Sequence, residues 1–180
     1  MPHLLPDFPL PRRPRRCPLS NFPLLFPSEQ LGAKGIHSFL KGRTMTKEEV
    51  DAVAAGRFAF INVWRGIDRE HPVLTKPLAV ADCRTVPKSD HFLYEIIFRD
   101  RIGENYSLRY SEDHAWYYYP KMEVEEALVF KVYDKYEDGP RFVFHTAFDD
   151  PSTPPDAPPR SSIEVRAIAF FPEPICEPEK

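Results

Sequence analysis

Proline limits this chain's folding options more than any other feature, because it occurs 21 times in 180 residues. Each proline fixes φ and removes a backbone donor, so neither a long helix nor a central strand can run through it. Beyond residue 56, eight short apolar or alternating runs survive between the breaks, at residues 58–64, 78–83, 92–98, 106–110, 116–119, 127–133, 142–147 and 163–171. They carry most of the 14 Phe and 8 Tyr, residue types that fit a pleated surface. The pattern predicts a mainly β fold, a β-sandwich or jelly roll of short antiparallel strands. In "NYSLRY" the alternation puts Tyr106, Leu108 and Tyr110 on one face and Asn105, Ser107 and Arg109 on the other, as in a half-buried strand following the turn in "RDRIGENY". The one helix expected is in "TMTKEEVDAVAAGRF", where Thr46 and Glu49 have capping-box spacing and Gly56 offers a stop.

Residues 1–43 differ in composition, with eight prolines and a charge balance of +5 against −8 for the remainder. They are expected to form a disordered Pro/Arg-rich arm, residues 44–172 a jelly-roll domain, and residues 173–180 a tail. The basic run "RRPRR" has no aromatic platform or binding motif around it and reads as a solvated tail, so no nucleic-acid partner is expected. No stretch approaches the length of a membrane span, and no membrane partner is expected. Three scattered cysteines, Cys17, Cys83 and Cys176, form neither a disulfide framework nor a metal-binding spacing, and a reducing, cytoplasmic setting follows. "DDPSTPPDAPP", with five prolines in residues 149–159, reads as a stiff loop joining the last two strands.

Two residues beside that loop could carry chemistry. His145 sits in the apolar run before it and Arg166 in the run after it, and the two runs are expected to be adjacent strands. A jelly roll can hold Fe(II) through two histidines and one carboxylate, and a bound 2-oxo diacid also needs a cation for its distal carboxylate. The bland alternatives are a hydrogen-bonded core histidine and an arginine paired with an acid such as Glu164.

The blocks "RFAFINVWRGI", "KPLAVADCRTV", "RIGENYSLRY", "HAWYYYPKMEVEEALVFKVYD", "RFVFHTAFDDP" and "SSIEVRAIAFF" together resemble the AsaB-like and CmcJ-like hydroxylase/desaturase family over residues 44–171. The resemblance implies a double-stranded β-helix and an oxidoreductase that oxidises a small molecule in fungal secondary metabolism, with non-haem Fe(II) and 2-oxoglutarate as cofactors. It implies His145 as a metal ligand and Arg166 as the 2-oxoglutarate anchor, with Asn62, Trp64 and Arg65 of "NVWR" lining or supporting the pocket. For Trp64 and Arg65, core packing and a strand-end ion pair are equally open.

The sequence departs from the family at the iron ligands. Members carry a His-x-Asp pair before "NVWR", and the 180 residues contain no His-x-Asp or His-x-Glu. The chain resembles the C-terminal two-thirds of an oxygenase whose ligand-bearing first third is lost or replaced. Asp149 could join His145 at a metal only if the chain bent sharply, and His71, His91 and His114 read as solvated imidazoles. No catalytic residue is assigned. The alternative expectation is a non-catalytic jelly-roll remnant that binds a small molecule or a homologous subunit.

Overall fold

A computed structural model describes residues 13–16, 28–29, 45–97, 99 and 102–171. Helix α1 (Lys47–Ala55) is the helix expected from the capping box. The Glu49 amide donates to Thr46 Oγ1 at 3.2 Å, and the Thr46 amide donates to Glu49 Oε2 at 2.7 Å. Gly56 ends the helix in extended rather than left-handed backbone, with φ −77°. The stop comes instead from the turn into the next strand, and from Lys135 Nζ, which donates to the carbonyls of Ala54 and Ala55 at 2.7 and 2.8 Å.

Ten strands follow or precede it among the described residues: β1 (Arg15–Arg16), β2 (Ser28–Glu29), β3 (Arg57–Gly66), β4 (Leu78–Ala81), β5 (His91–Ile97), β6 (Ile102–Leu108), β7 (Trp116–Tyr118), β8 (Leu128–Asp134), β9 (His145–Ala147) and β10 (Ser162–Phe171). All eight expected runs contain a strand. They form three antiparallel sheets of order β1-β7-β4-β9, β10-β3-β8 and β2-β6-β5. The expectation of an unpacked arm concerns residues that mostly lie outside the described ones. Of those described, Arg15–Arg16 pair with Tyr117–Tyr118, and Ser28–Glu29 pair with Asn105–Tyr106. The 173–180 tail also lies outside the described residues.

The β10-β3-β8 sheet carries the larger core. Phe58, Phe60, Asn62 and Trp64 of β3 alternate onto one face and are all buried, packed with Phe130, Val132 and Tyr133 of β8 and Val50 of α1. Phe58 and Phe60 meet edge to face at 5.8 Å, a favoured aromatic geometry. At the end of β3, Gly66 is required by close packing, since a Cβ there would lie 2.9 Å from Val73 Cγ2. A second core, with Ala79, Ala81, Trp116, Tyr118, Phe144, Phe148 and Leu108, fills the space between the β4 sheet and the β5–β6 hairpin.

Two expectations are corrected by this fold. The strand in "NYSLRY" is not half-buried: Asn105 and Ser107, on the face expected to meet solvent, are fully buried, while Tyr110 lies beyond the strand end and is 41% exposed. Alternation identifies the two faces of a strand but not how many are covered, and in this strand both are. In addition, β9 and β10 are not neighbours. They follow one another in the chain but belong to different sheets, β9 pairing with β4 and β10 with β3, so the proline loop crosses between sheets.

Candidate functional site

The register of the β10-β3-β8 sheet builds a row across its inner face. Asn62 lies opposite Arg166 of β10 on one side and Phe130 of β8 on the other. Directly paired residues share a face, so Arg166, Asn62 and Phe130 stand side by side. From the facing sheet, the His145 ring of β9 packs against Phe130 with ring centroids 4.6 Å apart. A cleft of about 480 Å³ opens beside Phe130, lined also by Val80, Tyr117, Leu128 and Val143; His145, Asn62 and Arg166 are not among the residues that line it.

Asn62 fixes the polar end of the row. Its Oδ1 accepts from Arg166 Nε at 3.2 Å, and its Nδ2 donates to Glu164 Oε1 at 2.6 Å. The amide orientation is dictated by its partners, because a guanidinium only donates and a carboxylate only accepts. Asn62 is fully buried, Arg166 half-buried and Glu164 more exposed. Glu164 therefore meets Arg166 through Asn62, and the Arg–Glu pairing considered from sequence is a relay. Burial pushes the Glu164 carboxyl up, against the downward pull of the Arg166 charge.

His145 is oriented by its own strand. Nδ1 lies 3.2 Å from the Val143 carbonyl, which can only accept, so Nδ1 carries the hydrogen and Nε2 keeps its lone pair. Burial pushes the imidazole pKa down, the Val143 carbonyl pulls it up, and the charge of Arg166 pushes it down again, with a net lowering. The ring is thus held neutral in the tautomer that offers Nε2 as a ligand or acceptor, and it feels the charge of Arg166 from the opposite sheet.

The other sequence candidates divide. Trp64 lies on the inner face, in the core, with the Arg160 guanidinium 5.7 Å from its ring. Arg65 lies on the opposite face, donating to the carbonyls of Gly66 and Val124, so it is not part of this row and cannot replace Arg166. Asp149 is exposed and ion-paired with Lys76 at 2.6 Å. The reading of three solvated imidazoles is corrected for two of them. His114 is buried with Nε2 2.8 Å from Asp90 Oδ2, and His91 packs against Tyr106, Phe142 and Phe144, where burial lowers its pKa. His71 is exposed beside Asp68. Sequence reasoning missed Phe130, because its place beside Asn62 depends on a register shift between Phe60 and Ile61 that residue types do not display.

Comparison with known proteins agrees with this architecture. Residues 36–170 match the family model described as an oxidoreductase/YMDC permease-like domain. The chain belongs to this family. Its curated relatives are the hydroxylase/desaturase group expected from the sequence blocks. They include aspirochlorine biosynthesis protein N of Aspergillus oryzae, 37% identical over 69% of this chain and 52% of that protein. The Fe(II)/2-oxoglutarate-dependent dioxygenase nvfI of Aspergillus novofumigatus is 36% identical over 68% of this chain and 44% of that protein. Hydroxylase/desaturase asaB of Aspergillus flavus is 34% identical over 71% and 61%. Among solved structures, the iron and alpha-ketoglutarate-dependent endoperoxidase NvfI superposes with a TM-score of 0.66 at 31% identity, over 80% of this chain and 52% of that one. The mainly β architecture is therefore the jelly roll of these oxygenases. The chain spans about half the length of the curated relatives it matches.

Proposed function

We propose that this chain is the anchor-bearing part of an oxidoreductase of the Fe(II) and 2-oxoglutarate class, and that it binds a small 2-oxo diacid through Arg166, on the side of the sheet where the imidazole of His145 packs. The observation that supports this reading is the row Arg166–Asn62–Phe130 with the His145 ring packed on Phe130, which joins a guanidinium oriented by a buried amide to an imidazole with a fixed tautomer. A planar guanidinium can take both oxygens of the distal carboxylate, and Asn62 supports it from behind.

The described residues do not fit iron. Three protein ligands are needed, and no group of three or more His, Cys, Asp or Glu side chains among the described residues is placed to hold a metal. Turnover would need a second imidazole and a carboxylate from outside the described residues. That same observation favours the second reading, a binding domain without turnover. The setting that accompanies either reading is cytoplasmic, consistent with the free, exposed thiol of Cys83. Among the described residues no helix is long and apolar enough to cross a membrane.

Ligand-observed NMR with 2-oxoglutarate tests the anchor. Saturation transfer to the diacid is expected from the wild-type chain, with Arg166→Ala weakening binding by roughly 2 to 4 kcal/mol through loss of a charge-assisted pair. Equal binding by the two proteins would remove Arg166 from the site.

A further inference from the structure

Strand edges must be paired, covered or blunted, because an open row of amides and carbonyls recruits another strand. Among the described residues three of the six outer edges of this fold are blunted by shortness: β1 and β2 have two residues each and β9 has three. The β8 edge carries a register shift and a lysine, Lys131. β5 and β10 are the long, unbroken edges that remain; β5 has seven residues and Glu95 as its only Asp, Glu, Lys or Arg, so it offers a second copy no opposite charge, whereas β10 has ten residues and one charge of each sign. β10 pairs with β3 along all ten residues on one side, and among the described residues no strand pairs with its other side. It contains no proline, glycine or lysine. Ile163 and Val165 are 48% and 54% exposed, Glu164 and Ala167 are also exposed, whereas β3, flanked on both sides, buries six of its ten residues.

The charges on β10 indicate what pairs with it. Glu164 and Arg166 are its only charged residues, and they flank Val165. In an antiparallel pairing of two copies about a twofold axis at Val165, Glu164 faces Arg166 of the other copy twice, Val165 faces Val165, and Ile163 faces Ala167. A slip of two residues in either direction puts Glu164 against Glu164 or Arg166 against Arg166 on the axis. The strand is thus complementary to itself in one register and repelled in its neighbours, which is how charge selects a strand pairing. We propose that β10 is a dimerisation strand: two copies of this chain join edge to edge at Val165 into a continuous six-stranded sheet, β8-β3-β10 continued by the same three strands of the second copy.

Size-exclusion chromatography with light scattering on the full chain tests this. Wild type should run at twice the chain mass of 20.9 kDa. Val165→Lys sets two ammonium groups on the axis at a position that is exposed in the single chain, and should give monomer with an unchanged circular dichroism spectrum. Glu164→Arg or Arg166→Glu alone places like charges opposite twice and should weaken association by about a hundredfold, taking about tenfold per pair. The double exchange, Glu164→Arg with Arg166→Glu, restores both pairs and should restore the dimer even if the single variants fold poorly. A monomeric wild type, or a dimer indifferent to Val165→Lys and to the single reversals, would overturn the proposal. These readouts are masses and do not depend on diacid binding, so the edge pairing and the anchor reading fail separately.

Discussion

Replacing Asn62 by leucine removes the hub of the candidate site while nearly preserving side-chain volume. In the wild-type chain this fully buried amide accepts a hydrogen bond from Arg166 at 3.2 Å and donates one to Glu164 at 2.6 Å. Hydrogen bonds to charged groups contribute about 1.5 to 3 kcal/mol each. The Arg166 bond is long, and water reaches both partners once Asn62 is gone, so the low end of that range applies to each, for about 3 kcal/mol in total. The added apolar burial of leucine offsets part of this, leaving a loss of about 2 to 3 kcal/mol. For a chain of this size that corresponds to a fall of about 4 to 12 °C in melting temperature. Urea unfolding followed by the fluorescence of Trp64 and Trp116 measures it directly. A variant within about 0.5 kcal/mol of wild type, inside the range of an ordinary surface change, would show that the relay contributes nothing, and the reasoning that fixes Arg166 through Asn62 would fail.

Asp134 is 2% exposed and accepts from Arg57, Lys131 and the Tyr136 amide. Asp134→Ala should cost about 2 to 4 kcal/mol by urea unfolding, somewhat less than a fully buried pair because both cations reach solvent. Burial pushes the Asp134 carboxyl up, but the bonds from Arg57, Lys131 and the Tyr136 amide outweigh it, with a net lowering. A lowered carboxyl pKa stabilises above the unfolded value of about 4 and loses that contribution as pH falls through the folded value, so Asp134→Asn should flatten the acid limb of the wild-type stability profile. Lys135→Met removes the cation from the last carbonyls of α1 and should cost about 1 kcal/mol, read as a lower thermal midpoint. Anaerobic titration of the chain with Fe(II) and 2-oxoglutarate should give little charge-transfer absorption, since the candidate site has His145 as its one imidazole and the described residues form no ligand cluster. A strong band would mean that residues elsewhere in the chain complete the site.

What the sequence made legible was local. Thr46 and Glu49 announce the helix because a capping box is a three-residue device, and proline breaks delimit strands because a missing amide cannot be hidden. His145 and Arg166 could be selected because apolar strands rarely carry polar groups without a partner, whereas Asn62 was implied only by the family resemblance of "NVWR". Their arrangement was not legible. That β9 and β10 join different sheets instead of pairing is a choice made by packing over the whole chain. Arg65 was inseparable from Trp64 in "NVWR" until the register of β3 set its parity. Asp90, the last residue of the turn before β5, bonds His114, 24 residues away, and not the adjacent His91, a pairing that only the folded chain brings together.

The candidate site requires His145 and Arg166 to face the same space from opposite sheets. NMR titration of the His145 ring in wild type and in Arg166→Gln tests that most directly, because a nearby guanidinium holds the imidazole pKa down and its removal must let it rise. The measurement should show His145 titrating below an ordinary histidine in wild type and at higher pH in the variant, with the other histidines unmoved. An identical His145 titration in both proteins would place Arg166 away from the ring and contradict the site.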